Sequence, residues 1–139
     1  MVKDDCIFCK LAHGEIPSTT IYEDKEFRVY FDIAPATYGH CLIIPKNHYK
    51  DVFEIDAETA GKLFALATVV ARSMKKVLNC DGMNIMQNNG AIAGQTVFHF
   101  HLHLIPRYEN EENNKDILLW SPKTFSAEEF VAIRDSLVE

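Results

Sequence analysis

The chain has 139 residues, 47% of them hydrophobic and 11% aromatic, with a formal charge of −6. That length and apolar content fit one folded domain with a real core and exclude a disordered chain. The negative charge excludes broad contact with a nucleic-acid backbone, which needs a basic face, but it leaves room for a pocket that takes one nucleotide.

The first residues, Met-Val-Lys-Asp-Asp-Cys, lack the apolar core of a secretory signal. The longest apolar run, 63–71, lies between Lys62 and Arg72 and is too short to span a bilayer. Four cysteines, two of them as Cys6-x-x-Cys9, fit reduced thiols better than a disulfide framework. A cytoplasmic protein with no membrane partner is expected.

Residues 6–11 read as a short turn or helix with apolar Ile7, Phe8 and Leu11. Residues 19–22 and 27–31 read as a hairpin of two strands around the charged turn 23–26. A loop over 34–39 leads into a third strand, 40–44, stopped by Pro45. Asp56 is a good N-cap for a long helix. Leu63, Ala67, Val70, Met74 and Val77 form its apolar stripe, and Asn79-Cys80-Asp81-Gly82 ends it. A fourth strand follows at 83–87, then a loop with glycines and small polar residues over 88–96. The polar stretch 109–115 predicts a mobile loop. Ser126-Ala127-Glu128-Glu129 is a capping box that opens a last helix with Phe130, Ile133 and Leu137 facing inward.

Between the glycine loop and that tail lies Phe98-His99-Phe100-His101-Leu102-His103-Leu104-Ile105-Pro106-Arg107, with three of the six histidines at alternate positions. A strand here places Phe98, Phe100, Leu102 and Leu104 on a core face and the histidines in a row on the other, roughly 6.5–7 Å apart. Pro106 should end the strand. A single histidine is easily a structural residue. Three in register need partners, which points to a metal, an anion or chemistry. The preceding loop can offer backbone N–H groups and a hydroxyl to an anion. Five short strands, one long helix and a terminal helix read as α+β with an antiparallel sheet.

Cys6 and Cys9 form half of a tetrahedral metal site, and with no second Cys-x-x-Cys the missing ligands should be histidines. Cys41 and Cys80 read as small buried residues, and His13 as exposed and idle. Asp32, alone between Phe31 and Ile33, is a carboxylate that needs a purpose. A neutral imidazole is a nucleophile when an acceptor holds its Nδ1–H and leaves Nε2 free, and His101, in the middle of the row, is the central candidate.

The pattern His-apolar-His-apolar-His-apolar-apolar after Gly94-Gln95-Thr96-Val97 resembles the histidine triad (HIT) superfamily of nucleotide hydrolases and transferases. Cys6-Ile7-Phe8-Cys9, Gly14-Glu15-Ile16-Pro17, Tyr22-Glu23-Asp24, Phe31-Asp32-Ile33, Gly39-His40 and Ile43-Ile44-Pro45-Lys46-Asn47-His48 follow in the order of its Hint-like bacterial members. The resemblance runs over residues 6–107 of a single 1–139 domain, and the tail 108–139, with Trp120, departs from it.

The resemblance implies a HIT-like α+β fold with one five-stranded antiparallel sheet, and a two-fold homodimer with sheets joined across the long helices. It implies that His101 is the nucleophile, that His103 donates to phosphate oxygens and that His40 orients the site. Asn88, Gly94, Gln95 and Thr96 would bind phosphate, Asp32 the ribose, and Ile7, Phe8, Leu11, Tyr30 and Ile33 a purine base. His48 and His99 would complete a structural Zn²⁺ site with Cys6 and Cys9. His99 would then leave the catalytic row and orient His101, and no Mg²⁺ would be required. The implied activity is hydrolysis of purine nucleoside 5′-phosphoramidates. A dinucleoside polyphosphate hydrolase, favoured by Thr96 and by Pro106-Arg107, stays open, as does a nucleotide-binding module with little turnover. A catalytic zinc hydrolase built on the histidine row would leave Gln95 and Thr96 unexplained.

Overall fold

The computed structural model describes residues 2–111 and 122–137. Trp120 and most of the polar stretch 109–115 lie outside the described residues. In chain order come α1 (Ile7–Ala12), β1 (Thr20–Glu23), β2 (Phe27–Phe31), β3 (Cys41–Pro45), α2 (Ala57–Leu78), β4 (Gly82–Met86), β5 (Leu102–Arg107) and α3 (Ala127–Leu137). The strands form one five-stranded antiparallel sheet in the order β1-β2-β3-β5-β4.

Period-two alternation divides β2 and β3 between two apolar layers. Val29, Cys41 and Ile43 point to one face, where Leu102, Leu104 and Phe100 join Leu63, Ala67, Val70 and Met74 of α2. Tyr30, Leu42 and Ile44 point to the other, where they meet Ala12, Phe8 and Leu11 of the α1 segment. The long helix therefore supports one side of the sheet and leaves the other to the short α1 segment.

The caps of α2 follow the sequence. Asp56 accepts the Thr59 N–H at 2.9 Å, and Asn79 closes the helix in the left-handed region at φ 51°. The apolar stripe differs in its last turn, where Val77 is 76% exposed and Leu78 packs on the core instead. Leu78 has room because Gly39, at φ +95°, lacks a Cβ that would stand 2.6 Å from Leu78 Cδ1.

Two expectations for the histidine strand are corrected. The ladder begins at Leu102, so only His103 of the triad lies in β5, opposite Leu42 and Met86. Residues ahead of it are drawn elsewhere, with the Phe100 N–H donating to the Tyr49 carbonyl at 2.6 Å. Phe98 is accordingly exposed rather than in the core. Pro106 does not end the strand, because it pairs with Met83 and is followed by Arg107 opposite Gly82. The β3 ladder stops at Leu104, and the Pro106 carbonyl beyond it accepts the Thr37 hydroxyl at 2.6 Å. On that side no strand carbonyl waits for the N–H that proline lacks.

The capping box of α3 is present: the Ser126 N–H donates to Glu129 Oε1 at 3.0 Å and the Glu129 N–H to Ser126 Oγ at 3.1 Å. Its apolar face is not inward. Phe130, Ile133 and Leu137 are 63%, 62% and 75% exposed, and α3 buries no residue among those described. Both faces of the sheet are already covered by α1 and α2. No helix among the described residues is long and apolar enough to cross a membrane.

Leu63 is 1% exposed at the centre of the α2–sheet layer. Leu63→Ala should destabilise the fold by about 3 kcal/mol, read as a shift of the guanidinium midpoint with the slope unchanged.

Candidate active site

The site lies on the α1 face, where the loop after β4 meets the histidines. Gly90 and Gly94 sit at φ +90° and +95° on either side of a short 3₁₀ turn, Ala91–Ala93. A Cβ on Gly94 would also lie 3.3 Å from Asn88 Nδ2, so both space and φ call for glycine. Gln95 is 3% exposed and its amide is fully engaged. Oε1 accepts the Gly90 N–H at 2.8 Å, while Nε2 donates to the Lys50 carbonyl at 2.7 Å and the Val97 carbonyl at 3.0 Å. The Gln95 N–H is also spent, on the Gly90 carbonyl at 3.1 Å. The structure thus places the polar groups of Gln95, expected to contact phosphate, on partners within the protein, and Gln95 does not line the cavity beside the loop. A buried amide has to be satisfied locally, and this one braces the loop.

A cavity of about 540 Å³ opens beside this loop. It brings together Asn88, Gly94, Thr96, Asp32, Ile7, Phe8, Leu11, Tyr30, Ile33, His101 and His103. His40, His99 and Gln95 stand behind its wall. The sequence reading missed Ser18, Ala34, Leu42, Met86 and Val97 as lining residues, along with Ile16 and Pro17 of the quoted Gly-Glu-Ile-Pro motif. Leu42 had a signal, since it pairs with Tyr30 on the same face. Asp32 is oriented at the rim, where Oδ1 accepts the Ala34 N–H at 2.9 Å and Oδ2 lies 3.6 Å from His40 Nε2.

Fixed backbone partners assign a proton to each histidine. A carbonyl can only accept, so His99 carries its proton on Nε2, which donates to the Pro45 carbonyl at 2.8 Å. His101 carries its proton on Nδ1, which donates to the His99 carbonyl at 2.7 Å and leaves Nε2 as a free base. An amide N–H can only donate, so His40 Nδ1 accepts from Ala36 at 2.9 Å and the His40 proton sits on Nε2. That proton is donated to His103 Nδ1 at 2.9 Å, which leaves His103 with an Nε2–H of its own. The rings of His101 and His103 lie 5.0 Å apart, closer than one regular strand would set them, because only His103 is on the ladder. The Phe8 ring meets His101 edge-on at 4.9 Å and limits its rotation.

Burial keeps this set neutral. It pushes His99 down to about 4, with the Pro45 bond opposing, and His103 down to about 4, with His101 and His40 adding to the effect. Burial also lowers His101 against the bond to His99, and lowers His40 against the nearby Asp32 carboxylate.

The donor atoms of Cys6, Cys9, His48 and His99 all lie within 4.8 Å of one another. His99 Nδ1 is 3.4 Å from both Cys6 Sγ and Cys9 Sγ, and His48 Nδ1 is 3.4 Å from Cys9 Sγ. Tetrahedral zinc with its usual bond lengths sets neighbouring sulfur and nitrogen ligands roughly 3.5 Å apart. The Nε2–H bond of His99 also leaves Nδ1 as the lone pair that a metal needs. The four residues fit such an ion. Asp32, His40 and His103 cluster as closely, but His40 Nε2 and His103 Nδ1 are bound to each other. Cys41 and Cys80 are buried as expected, and burial pushes the Cys41 thiol up to about 12. His13 is exposed but not idle, since its Nε2 donates to the Lys46 carbonyl at 2.9 Å and ties the end of α1 to the end of β3.

The HIT domain family matches residues 13–110. The "Protein hit" of Bacillus subtilis (strain 168) is 44% identical over 105 residues, covering 76% of this chain and 72% of that protein. The adenosine 5′-monophosphoramidase hnt1 of Schizosaccharomyces pombe is 35% identical over 132 residues, 95% of each chain. Among solved structures, SMU.412c from Streptococcus mutans UA159 superposes with a TM-score of 0.89 at 37% identity, over 97% of this chain and 84% of that one. A Zn-bound histidine triad family protein from Mycobacterium smegmatis superposes with a TM-score of 0.74 at 37% identity, over 95% of this chain and 96% of that one. With its triad, its glycine loop and its sheet order in place, this chain belongs to the HIT family.

Proposed function

We propose that the chain is a nucleotide hydrolase that cleaves the P–N bond of purine nucleoside 5′-phosphoramidates through a nucleotidyl-histidine intermediate on His101. The observation that carries this reading is the His101 Nδ1–H bond to the His99 carbonyl, which leaves an unprotonated Nε2 at the cavity wall. The Nε2 lone pair attacks the α-phosphorus. The amine departs with the P–N bonding pair and takes a proton from solvent. Water then attacks phosphorus and gives a proton to solvent, the pair returns to Nε2, and the nucleoside monophosphate is released.

His103, through Nε2–H, and the loop residues Asn88, Gly94 and Thr96 face the non-bridging oxygens whose charge grows in both steps, with no Mg²⁺ required. Asp32 accepts from the ribose hydroxyls. Ile7, Phe8, Leu11, Tyr30 and Ile33 take the base. His40 holds His103 in the tautomer that can donate. Cys6, Cys9, His48 and His99 hold a structural zinc ion, which would pin α1 to β3 and to the carbonyl that orients His101. Four protein ligands leave no open position for a zinc-bound nucleophile.

The phosphoramidase activity of the fission-yeast relative supports this substrate class. The dinucleoside polyphosphate alternative keeps its two sequence supports, of which Thr96 lines the cavity and Pro106-Arg107 does not. Pro106-Arg107 lies in the β4–β5 ladder, where Arg107 binds Asn84 at 2.9 Å and Glu111 at 2.5 Å. A free nucleophile so prepared speaks against a module that only binds. Phe64 and Val69 on the outer side of α2, and Ile85 on the edge strand β4, are exposed and would be covered in a two-fold homodimer. A cytoplasmic location, where the thiols stay reduced, goes with this reading.

Three measurements test it. His101→Ala should lower turnover of adenosine 5′-phosphoramidate by about 10⁴-fold or more while zinc content is kept; loss of the metal as well would overturn the division of roles. Cys6→Ala should lose zinc in elemental analysis and melt earlier, as should the wild type after chelation. The third is a pH profile. Burial disfavours the imidazolium, so His101 titrates below its ordinary 6.5 and keeps its lone pair as the pH falls through that value. The acid limb of kcat should therefore lie below 6.5. His103 acts on stability with the same sign. Between 6.5 and about 4 the unfolded chain takes a proton that the folded chain refuses, so stability is full above 6.5 and declines below it.

A further inference from the structure

Gly94 and Thr96 both line the cavity, while Gln95 between them is buried and does not. The loop they belong to lies outside the sheet and turns tightly, with the Ala93 and Gln95 N–H groups both donating to the Gly90 carbonyl at 3.1 Å. On the cavity side it keeps donors free. Among the described residues Asn88 Nδ2, the Thr96 N–H and the Thr96 hydroxyl have no hydrogen-bond partner. Where those donors stand is decided by what holds the loop from behind.

The Gln95 amide joins three places. Gly90 at the start of the loop donates to Oε1, and Nε2 donates to Val97 at its end and to the Lys50 carbonyl in the segment after β3. A second fastening runs to the same stretch, where Asn89 Oδ1 accepts the Val52 N–H at 2.7 Å. That stretch also holds the two residues before His101. The Pro45 carbonyl accepts from His99 Nε2 at 2.8 Å, and the Tyr49 carbonyl accepts the Phe100 N–H at 2.6 Å. Loop and nucleophile are therefore both referred to one piece of main chain, residues 45–52.

We propose that Gln95 is a positioning residue: it pins the loop to residues 45–52 and so sets the distance between the loop's free donors and His101. The inference rests on the reading of this loop as the phosphate site. Gln95 itself touches no substrate atom in this role. Attack on phosphorus needs the nucleophile and the bound phosphate in register, and a displacement of about 1 Å can cost about 10²-fold in rate. The loop has little stiffness of its own, since Gly90 and Gly94 carry no Cβ to restrict φ. An amide suits the place because it accepts from Gly90 with one atom and donates to two carbonyls with the other. A carboxylate could keep only the first bond, and its second oxygen would face the Lys50 and Val97 carbonyls with no proton to give.

The test separates phosphate from base and ribose. Binding of AMP and of adenosine is measured by calorimetry, beside kcat and KM for adenosine 5′-phosphoramidate, in the wild type, Gln95→Met, Gln95→Glu and Asn89→Ala. Methionine has nearly the length of glutamine and none of its hydrogen bonds. Gln95→Met should weaken AMP about tenfold, leave adenosine within about twofold, and lower kcat by about 10²-fold, more than KM rises. Gln95→Glu should match or exceed it. Asn89→Ala cuts the second fastening at a half-buried position and should show the same pattern in smaller measure, so the outcome does not hang on the buried site tolerating a change. A melting curve of each variant reports the folded fraction. Equal loss of AMP and adenosine affinity in Gln95→Met and Asn89→Ala overturns the role, as do unchanged kcat and AMP affinity in a folded Gln95→Met. A wild type that binds AMP no more tightly than adenosine overturns instead the reading of the loop as a phosphate site.

Discussion

His99 has no solvent exposure, and its polar groups tie three parts of the molecule together. Nε2–H is held by the Pro45 carbonyl at the end of β3, Nδ1 faces the thiols of Cys6 and Cys9, and the main-chain carbonyl receives Nδ1–H of His101. A ring that turned would leave a buried donor unpaired, at a cost of about 1–3 kcal/mol, and would withdraw a ligand from the cysteine–histidine cluster. The carbonyl that sets the tautomer of His101 belongs to the same residue. The cluster at the start of the chain and the chemistry in its last third are therefore joined by one side chain and its own peptide group.

That junction explains the division of the sheet. The α2 face is apolar and contains no chemistry, and a long capped helix covers it. The α1 face has a much shorter helix of six residues, which could not hold its position by propensity alone. Its N-cap is Cys6, and its C-cap residue His13 is bonded to the Lys46 carbonyl. Anchoring at both ends lets α1 present Ile7, Phe8 and Leu11 to the cavity without a large core beneath them. A longer helix there would close the space that a nucleotide needs.

The sequence made the alternation of His99, His101 and His103 legible, because period-two patterning is local. Where the ladder begins is not local. It depends on Phe100 finding the Tyr49 carbonyl and on β3 pairing only with Leu102–Leu104. Pro106 misled for the same reason: whether a missing N–H matters depends on how far the neighbouring strand extends. Gln95 is the clearest case. Its amide has the chemistry to meet a phosphate, and nothing within its own segment announces that the Lys50 carbonyl, 45 residues away, will claim it. Amphipathic spacing located the apolar face of α3 correctly but carries no information on what covers it. The cysteine and histidine cluster was legible through a family resemblance more than through spacing, since Cys6-x-x-Cys9 alone names only two of four donors.

The proton inventory of the site is set by main-chain atoms. The carbonyls of Pro45 and His99 and the N–H of Ala36 decide, directly or through one further ring, where the three buried imidazoles and the half-buried His103 carry their protons. Asp32 stands 3.6 Å from His40 and is not bonded to His101. The proposed nucleophile, His101, therefore has no carboxylate bonded to it. Burial keeps it neutral, and a carbonyl fixes its tautomer. A backbone partner cannot change its protonation state, so the tautomer of the neutral His101 ring persists as long as the fold does. The reactivity proposed for His101 is in this sense a property of how residues 99–101 are held against the segment after β3, with no acid bonded to the ring.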